Sequence, residues 1–342
     1  MRVTVLTPGG TEVLHAEPAA DGRLLAPLDA PLLGWTRRPH GWCRGDACVP
    51  AAAVAHLEAD GRIDVAGFAE AQGATAAADP GAGLLALLPA PARGPEGEAP
   101  DAALPGIDGT VHRISGLRGR KVALVMWASW CGCRYDLPAW AERHRELAEY
   151  GFTVVTVALD RSVDDARPWI EEAAGDHPAL VDVDGQVAAL YDVVNVPTVV
   201  WIDEAGRVAR PQDSQTATDL FRSMNGLSAD ASLRALRRWV REDDSGFTPD
   251  AAAARFRVPS ADHQRARCHA RIAVELHRRG DAAGADRHYR RAAALAPHDV
   301  TLRRGLMGLV GEDPFGDAYF ALRAELTEAG IPVYRPLDPA DA

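Results

Sequence analysis

The stretch 122–140, VALVMWASWCGCRYDLPAW, constrains the fold more than any other part of the chain. A β-rich apolar run leads straight into Trp130-Cys131-Gly132-Cys133-Arg134, and helical spacing sets in after Pro138. Cysteines at a strand-to-helix junction sit at the positive end of the helix dipole, where unpaired backbone N–H groups stabilise a thiolate. Arg134 adds a further positive charge. A stabilised thiolate attacks well and leaves well, which disulfide exchange requires. Around this junction, strand runs at Lys121–Trp127, 152–159, Thr198–Ile202 and 207–209 alternate with helical spacing over 137–150 and 234–241. In the last helix Leu236 and Trp239 are expected to face inward. Strands alternating with helices predict an α/β sandwich.

Further residues match a known family in the right order. They are Asp108-Gly109-Thr110 with Leu117-Arg118-Gly119-Arg120-Lys121-Val122, then Trp127-Ala128-Ser129-Trp130-Cys131, then Asp136 and Pro138. Asn195-Val196-Pro197-Thr198 follows, running into 199–203. From 107 to about 210 the chain resembles the thioredoxin-like fold, in the branch of bacterial cytochrome-maturation thiol reductases of the TlpA/ResA type. The resemblance implies a mixed sheet flanked by helices and thiol-disulfide oxidoreductase activity. It also implies a cis proline at Pro197 that exposes the backbone edge of Val196 to an extended thiol-bearing substrate. An ordinary trans turn proline is the alternative reading.

The chain departs from that family in having Cys131-Gly132-Cys133 where Cys-x-x-Cys is usual. Cysteines two apart do not share a helical face, so a bond between them needs a turn, which Gly132 would permit by taking φ > 0. On this reading Cys131, expected to be the more exposed, attacks; Cys133 resolves the mixed disulfide; and Asp136 accepts the resolving proton. The alternative for Asp136 is an exposed first-turn acid that merely suits the helix dipole. Trp130, Gly132, Val196 and Pro197 are expected to contact substrate, with Trp130 shaping the site and Trp127 in the core.

Two composition breaks divide the 342 residues. A small α+β domain is expected over 1–88, with a strand and hairpin at Val3 and Val5 and short helices at 51–57 and 65–71. A Pro- and Ala-rich linker spans 89–105. The thioredoxin-like domain spans 106–245, and an α-helical region 246–342. Within the last, helices over 263–279 and Ala282–Leu295 resemble one tetratricopeptide repeat through Ala285, Tyr289, Ala292 and Pro297. A helical hairpin docked on the central domain is the simpler reading, since a solenoid usually needs three repeats.

A net charge of −11 argues against a nucleic-acid binder. Pro8 and Gly9 arrive before a targeting segment can form, and no run approaches the roughly 18 apolar residues of a membrane span. A cytoplasmic location with no membrane association is therefore expected. Five cysteines are too few for a disulfide-stapled fold of this length. Cys43 and Cys48, beside Trp42, stay open as a second redox pair, a metal site, or small half-buried residues near a turn. Cys268 reads as an inert core cysteine, and His263, His269, His277 and His288 as solvated helix faces.

Thiol-disulfide exchange by Cys131 and Cys133 is the main expectation, with a thiol or disulfide substrate, an external reductant and no cofactor or resident metal. A protein partner could be met through the C-terminal helices. Two alternatives differ in class. A thiol peroxidase of the same fold is disfavoured because Ala128 stands where the peroxidatic motif needs a hydroxyl residue. A binding protein could instead hold Cu(I) or Hg(II), or a partner, on close thiolates.

Overall fold

The computed structural model describes residues 1–90 and 97–337. It forms two compact units that do not follow chain order: Met1–Ala90 with Ser260–Ala296, and 91–259 with 297–342. The region 246–342 is thus divided between them. Helix Ala261–Arg278 packs on the Thr75–Asp79 and Leu84–Leu88 strands of the first unit, not on the central sheet, and helix Ala282–Leu295 packs on Ala261–Arg278. The reason lies in one helix face, where Cys268, Ile272, Ala273 and Leu276 are buried together. The Cys268 thiol donates to the Thr75 carbonyl at 3.4 Å, and Arg271 donates to the Thr7 carbonyl at 2.7 Å.

The first unit opens with the expected hairpin, Arg2–Thr7 paired with Gly10–His15. These strands extend a four-stranded sheet through Leu84–Leu88 and Thr75–Asp79. Its core gathers Val3, Val5, Trp42, Phe68 and Leu85. Two of the four histidines expected on solvated faces are instead enclosed. His269 Nδ1 lies 3.0 Å from His288 Nδ1, and His288 Nε2 lies 3.2 Å from the Asp79 carboxylate. Burial lowers both histidine pKa values, that of His269 to about 4, so the pair is neutral at neutral pH.

The second unit is built on a five-stranded sheet in the order Ala179–Val181, Phe152–Ala158, Lys121–Trp127, Thr198–Ile202 and Val208–Asp213. The first three strands run parallel and the last two antiparallel. Helices cover both faces, which is why the inner strands read as unbroken apolar runs. Alternate residues serve opposite layers. Val122, Leu124 and Met126 face one side with Val155 and Val200, while Ala123 and Val125 face the other with Trp140, Trp201 and Trp239. Lys121, the single lysine of the chain, is buried. Its Nζ donates at 3.1 Å to the carbonyls of Trp239 and Val240 and also to Asp243, closing the C-terminus of helix Ala229–Glu242.

Residues 97–105 are not linker. Ala99 donates to the Gly206 carbonyl, Ala103–Pro105 pairs with Val111–Arg113, and the Tyr191 hydroxyl donates to the Pro100 carbonyl at 2.7 Å. Ala102 and Leu104 alternate into the core, and that pattern outweighs the surrounding prolines. The rest of the expected linker, 91–96, lies outside the described residues. At the other end, 297–337 wrap the same unit. Thr301 N–H donates to the Val194 carbonyl at 3.0 Å, and the Asn195 side-chain amide to the Val333 carbonyl at 2.7 Å. No described helix is long and apolar enough to cross a membrane.

Candidate active site

The Lys121–Trp127 strand delivers Cys131 in extended conformation to the start of a 3-10 turn, Gly132–Asp136, which continues into helix Leu137–Leu147. The Cys131 sulfur accepts the Cys133 backbone N–H at 3.4 Å, so an otherwise unpaired N–H at the helix entrance points at it. Its thiol also lies 3.6 Å from the Val196 carbonyl, and the Val196–Pro197 peptide is cis. Both thiols are free. Both are also buried, at 4% exposure for Cys131 and 6% for Cys133, so the expected greater exposure of Cys131 is not found. Gly132 does not take a positive φ either. Glycine is needed there for space, because a Cβ would lie 2.8 Å from the Phe221 ring.

Electrostatics separate the two sulfurs. A hydrogen bond from the Cys133 thiol lowers the Cys131 pKa against the effect of burial, and the Arg304 guanidinium and Cys133 N–H lower it further. Burial, then hydrogen bonding and repulsion by Cys131, push Cys133 well above the ordinary thiol range. Of the two, Cys131 is the more readily ionised and Cys133 holds its proton more tightly. Arg304 comes from the C-terminal segment, 5% exposed, with its guanidinium 3.6 Å above the Tyr319 ring. Arg134, the cation expected from sequence, is engaged elsewhere: it donates to the Ser129 carbonyl and packs 4.0 Å over Trp169.

Asp136 is buried, not an exposed first-turn acid. It accepts from the Ala217 N–H at 3.2 Å and from the Thr218 hydroxyl, and burial raises its pKa. Its negative charge is one of the influences that raise Cys133. Trp127 is in the core as expected, and Trp130 stands 5.7 Å from the Arg304 guanidinium. Cysteines, Pro197 and Arg304 open onto a cavity of about 280 Å³ walled by Phe221, Tyr319 and Tyr334.

Beside the site, Asp160 is buried and accepts from Ser129 through N–H at 3.0 Å and hydroxyl at 2.6 Å. Burial raises its pKa to about 6. A folded pKa above the unfolded value contributes stability that is complete below the unfolded pKa and lost as pH rises through about 6. The ionised carboxylate is therefore a cost at neutral pH. Asp160→Asn, which can still accept from the Ser129 N–H, is expected to raise stability by on the order of 2 kcal/mol near pH 7 and to bring no gain near pH 4. Thermal unfolding at both pH values checks this, and an equal gain at both would remove ionisation as the cause.

The Cys43–Cys48 pair forms a disulfide across adjacent strands Gly41–Arg44 and Ala47–Pro50, with S–S 2.05 Å and Cα–Cα 4.1 Å. His40 Nε2 lies 3.3 Å from Cys43 Sγ and 3.6 Å from Cys48 Sγ. These three side chains form the one metal-capable cluster among the described residues. His40 was missed from sequence although it stands three residues before Cys43. Disulfide-bonded sulfurs lack the thiolate that holds a soft metal. Cys268 packs as core, and burial pushes its thiol up to about 12.

A family model described as the AhpC/TSA family matches residues 95–210. The thiol-disulfide oxidoreductase ResA of Bacillus subtilis (strain 168) is 28% identical over 114 residues, 33% of this chain and 64% of that protein. The thioredoxin-like protein YneN of the same organism is 32% identical over 113 residues, 32% of this chain and 65% of that protein. The chain thus spans just under two thirds of the length of these curated relatives. Among solved structures, the exposed lipoprotein thioredoxin Etrx1 of Streptococcus pneumoniae strain TIGR4 is 29% identical with a TM-score of 0.34, covering 41% of this chain and 99% of that one. Mixed sheet and cysteine-bearing helix entrance agree with these matches: the chain carries at its centre a thioredoxin-like fold, which over residues 95–210 is similar to the AhpC/TSA family and to thiol-disulfide oxidoreductases.

Proposed function

We propose that the chain is a thiol-disulfide oxidoreductase using Cys131 and Cys133. The observation that carries this reading is the placing of two free thiols at a helix entrance beside the cis Val196–Pro197 peptide, with the Cys131 sulfur accepting the Cys133 N–H; the Cys131 pKa is displaced downward and that of Cys133 upward. The Cys131 thiolate attacks one sulfur of a substrate disulfide; an S–S bond forms to Cys131 and the other substrate sulfur leaves as a thiolate. Cys133 then gives its proton to the Asp136 carboxylate and attacks the Cys131 sulfur. The second substrate thiolate leaves, and Cys131 and Cys133 end as a disulfide. Two electrons have passed to the substrate, and an external dithiol returns them. Val196 and Pro197 border the reacting sulfur and orient the substrate, while Trp130 and Gly132 shape the pocket.

Cys133→Ser tests the second step. The variant lacks the resolving thiol, so it is expected to accumulate a one-to-one mixed disulfide on Cys131, read by intact-protein mass spectrometry, with turnover at least about a hundredfold below wild type. Absence of any adduct, together with a wild-type dithiol that no disulfide oxidises, would overturn the reading.

A further inference from the structure

The geometry points to a small disulfide as substrate, one carrying an aromatic or apolar body and a carboxylate, in place of an extended polypeptide. This deepens the thiol-disulfide reading above and rests on it. A polypeptide would need the backbone edge leading to Pro197. Here Thr301 N–H already occupies the Val194 carbonyl, and the Asn195 side chain is held by the Val333 carbonyl. The chain's own C-terminal segment therefore occupies the two residues just before Val196, across which an extended peptide would have to lie. Cys131, at 4% exposure, opens onto a partly open cavity of about 280 Å³, close to the lower end of volumes that hold small ligands.

The walls specify the occupant. Phe221, Phe315, Tyr319, Phe320 and Tyr334 offer ring faces and edges that suit an aromatic or apolar body. Arg304 supplies charge. Its Nε donates to the Pro314 carbonyl at 2.7 Å, and no described carboxylate lies within ion-pair distance of it. A buried guanidinium without a carboxylate needs an anion. In the resting site the guanidinium favours the ionised form of Cys131, which answers part of that need when the thiol is ionised. Once Cys131 enters the mixed disulfide its charge is gone, and a substrate carboxylate beside the guanidinium replaces it. The reaction consumes enzyme dithiol and small disulfide and yields enzyme disulfide and two small thiols; an external dithiol restores the enzyme.

The test uses the full chain, reduced, against three disulfides: dithiobis-nitrobenzoate (aromatic, anionic), dithiodipyridine (aromatic, uncharged) and insulin. Rates are normalised to free dithiothreitol with the same compounds. Wild type is expected to favour the aromatic dianion over insulin by at least about a hundredfold, because the covered edge admits one and not the other. Arg304→Gln is expected to lower the ratio of dianion to uncharged rates about tenfold. The ratio cancels any change in Cys131 nucleophilicity, which acts on both compounds alike. Should the variant not fold, inhibition of wild type by nitrobenzoate but not by nitrobenzamide reads the same contact. Equal normalised rates with insulin, an unchanged ratio, or equal inhibition by the two benzoyl compounds would overturn the substrate class while leaving disulfide exchange intact. Reduction of none of the three would overturn both.

Discussion

Cys131→Ser is expected to lower disulfide reduction by at least about a thousandfold, the scale on which loss of a nucleophile is felt. A hydroxyl in its place is not ionised at any working pH. Cys133 is a poor replacement, because burial, the largest cause of its raised pKa, persists in the variant. The depressed pKa of Cys131 also fixes the pH profile. The first step should reach half its plateau at a pH below the ordinary thiol value and fall on the acid side of that point, as the thiolate is protonated. Stopped-flow oxidation of the reduced protein by a small disulfide, followed across pH in wild type and Cys131→Ser, checks both statements. A midpoint at or above the ordinary thiol value would place the thiolate elsewhere, and residual activity in the serine variant would move the nucleophile to Cys133.

The central sheet was legible because its inner strands are buried on both faces. Lys121–Trp127 and Thr198–Ile202 appear as continuous apolar runs with the bounds their sequence suggests. The cysteine junction was legible for the same reason, since the strand announces where the helix entrance must lie. The first unit was only partly so. Several of its strands are two to four residues long, such as Glu17–Pro18 and Leu24–Pro27, too short for a period of two to register. The cation at the site was not legible at all. Arg134 is adjacent in sequence, yet an Arg side chain goes where its stacking and hydrogen-bond partners are, and those are Trp169 and the Ser129 carbonyl. Arg304 reaches Cys131 through tertiary folding of the C-terminal segment, which no local pattern encodes. The destination of helix Ala261–Arg278 was hidden likewise: periodicity identifies a buried face and not the surface that covers it. Burial of Asp136 and of the His269–His288 pair was missed because polar residues in helical segments are exposed by default.

The largest expected loss of stability belongs to Trp239→Ala, at about 3–5 kcal/mol. Trp239 is 2% exposed and stacks on Trp201 with centroids 4.9 Å apart and planes 10° from parallel. It also meets Phe152, from the strand on the far side of Lys121–Trp127, in an edge-to-face contact at 6.4 Å. Truncation therefore opens a cavity between helix Ala229–Glu242 and two sheet strands at once, and the two ring partners cannot both relax into it. Lys121 compounds the effect. Its Nζ is anchored to the Trp239 and Val240 carbonyls, so a displaced helix end leaves a buried ammonium with fewer acceptors. Urea unfolding followed by far-UV circular dichroism checks the magnitude, and a loss below about 1 kcal/mol would mean that the helix is peripheral. Trp201→Ala and the double variant complete a cycle. Direct stacking predicts a coupling of about 0.5–1.5 kcal/mol between the two rings. Additive losses would assign the whole effect to apolar burial, with the parallel geometry contributing nothing of its own.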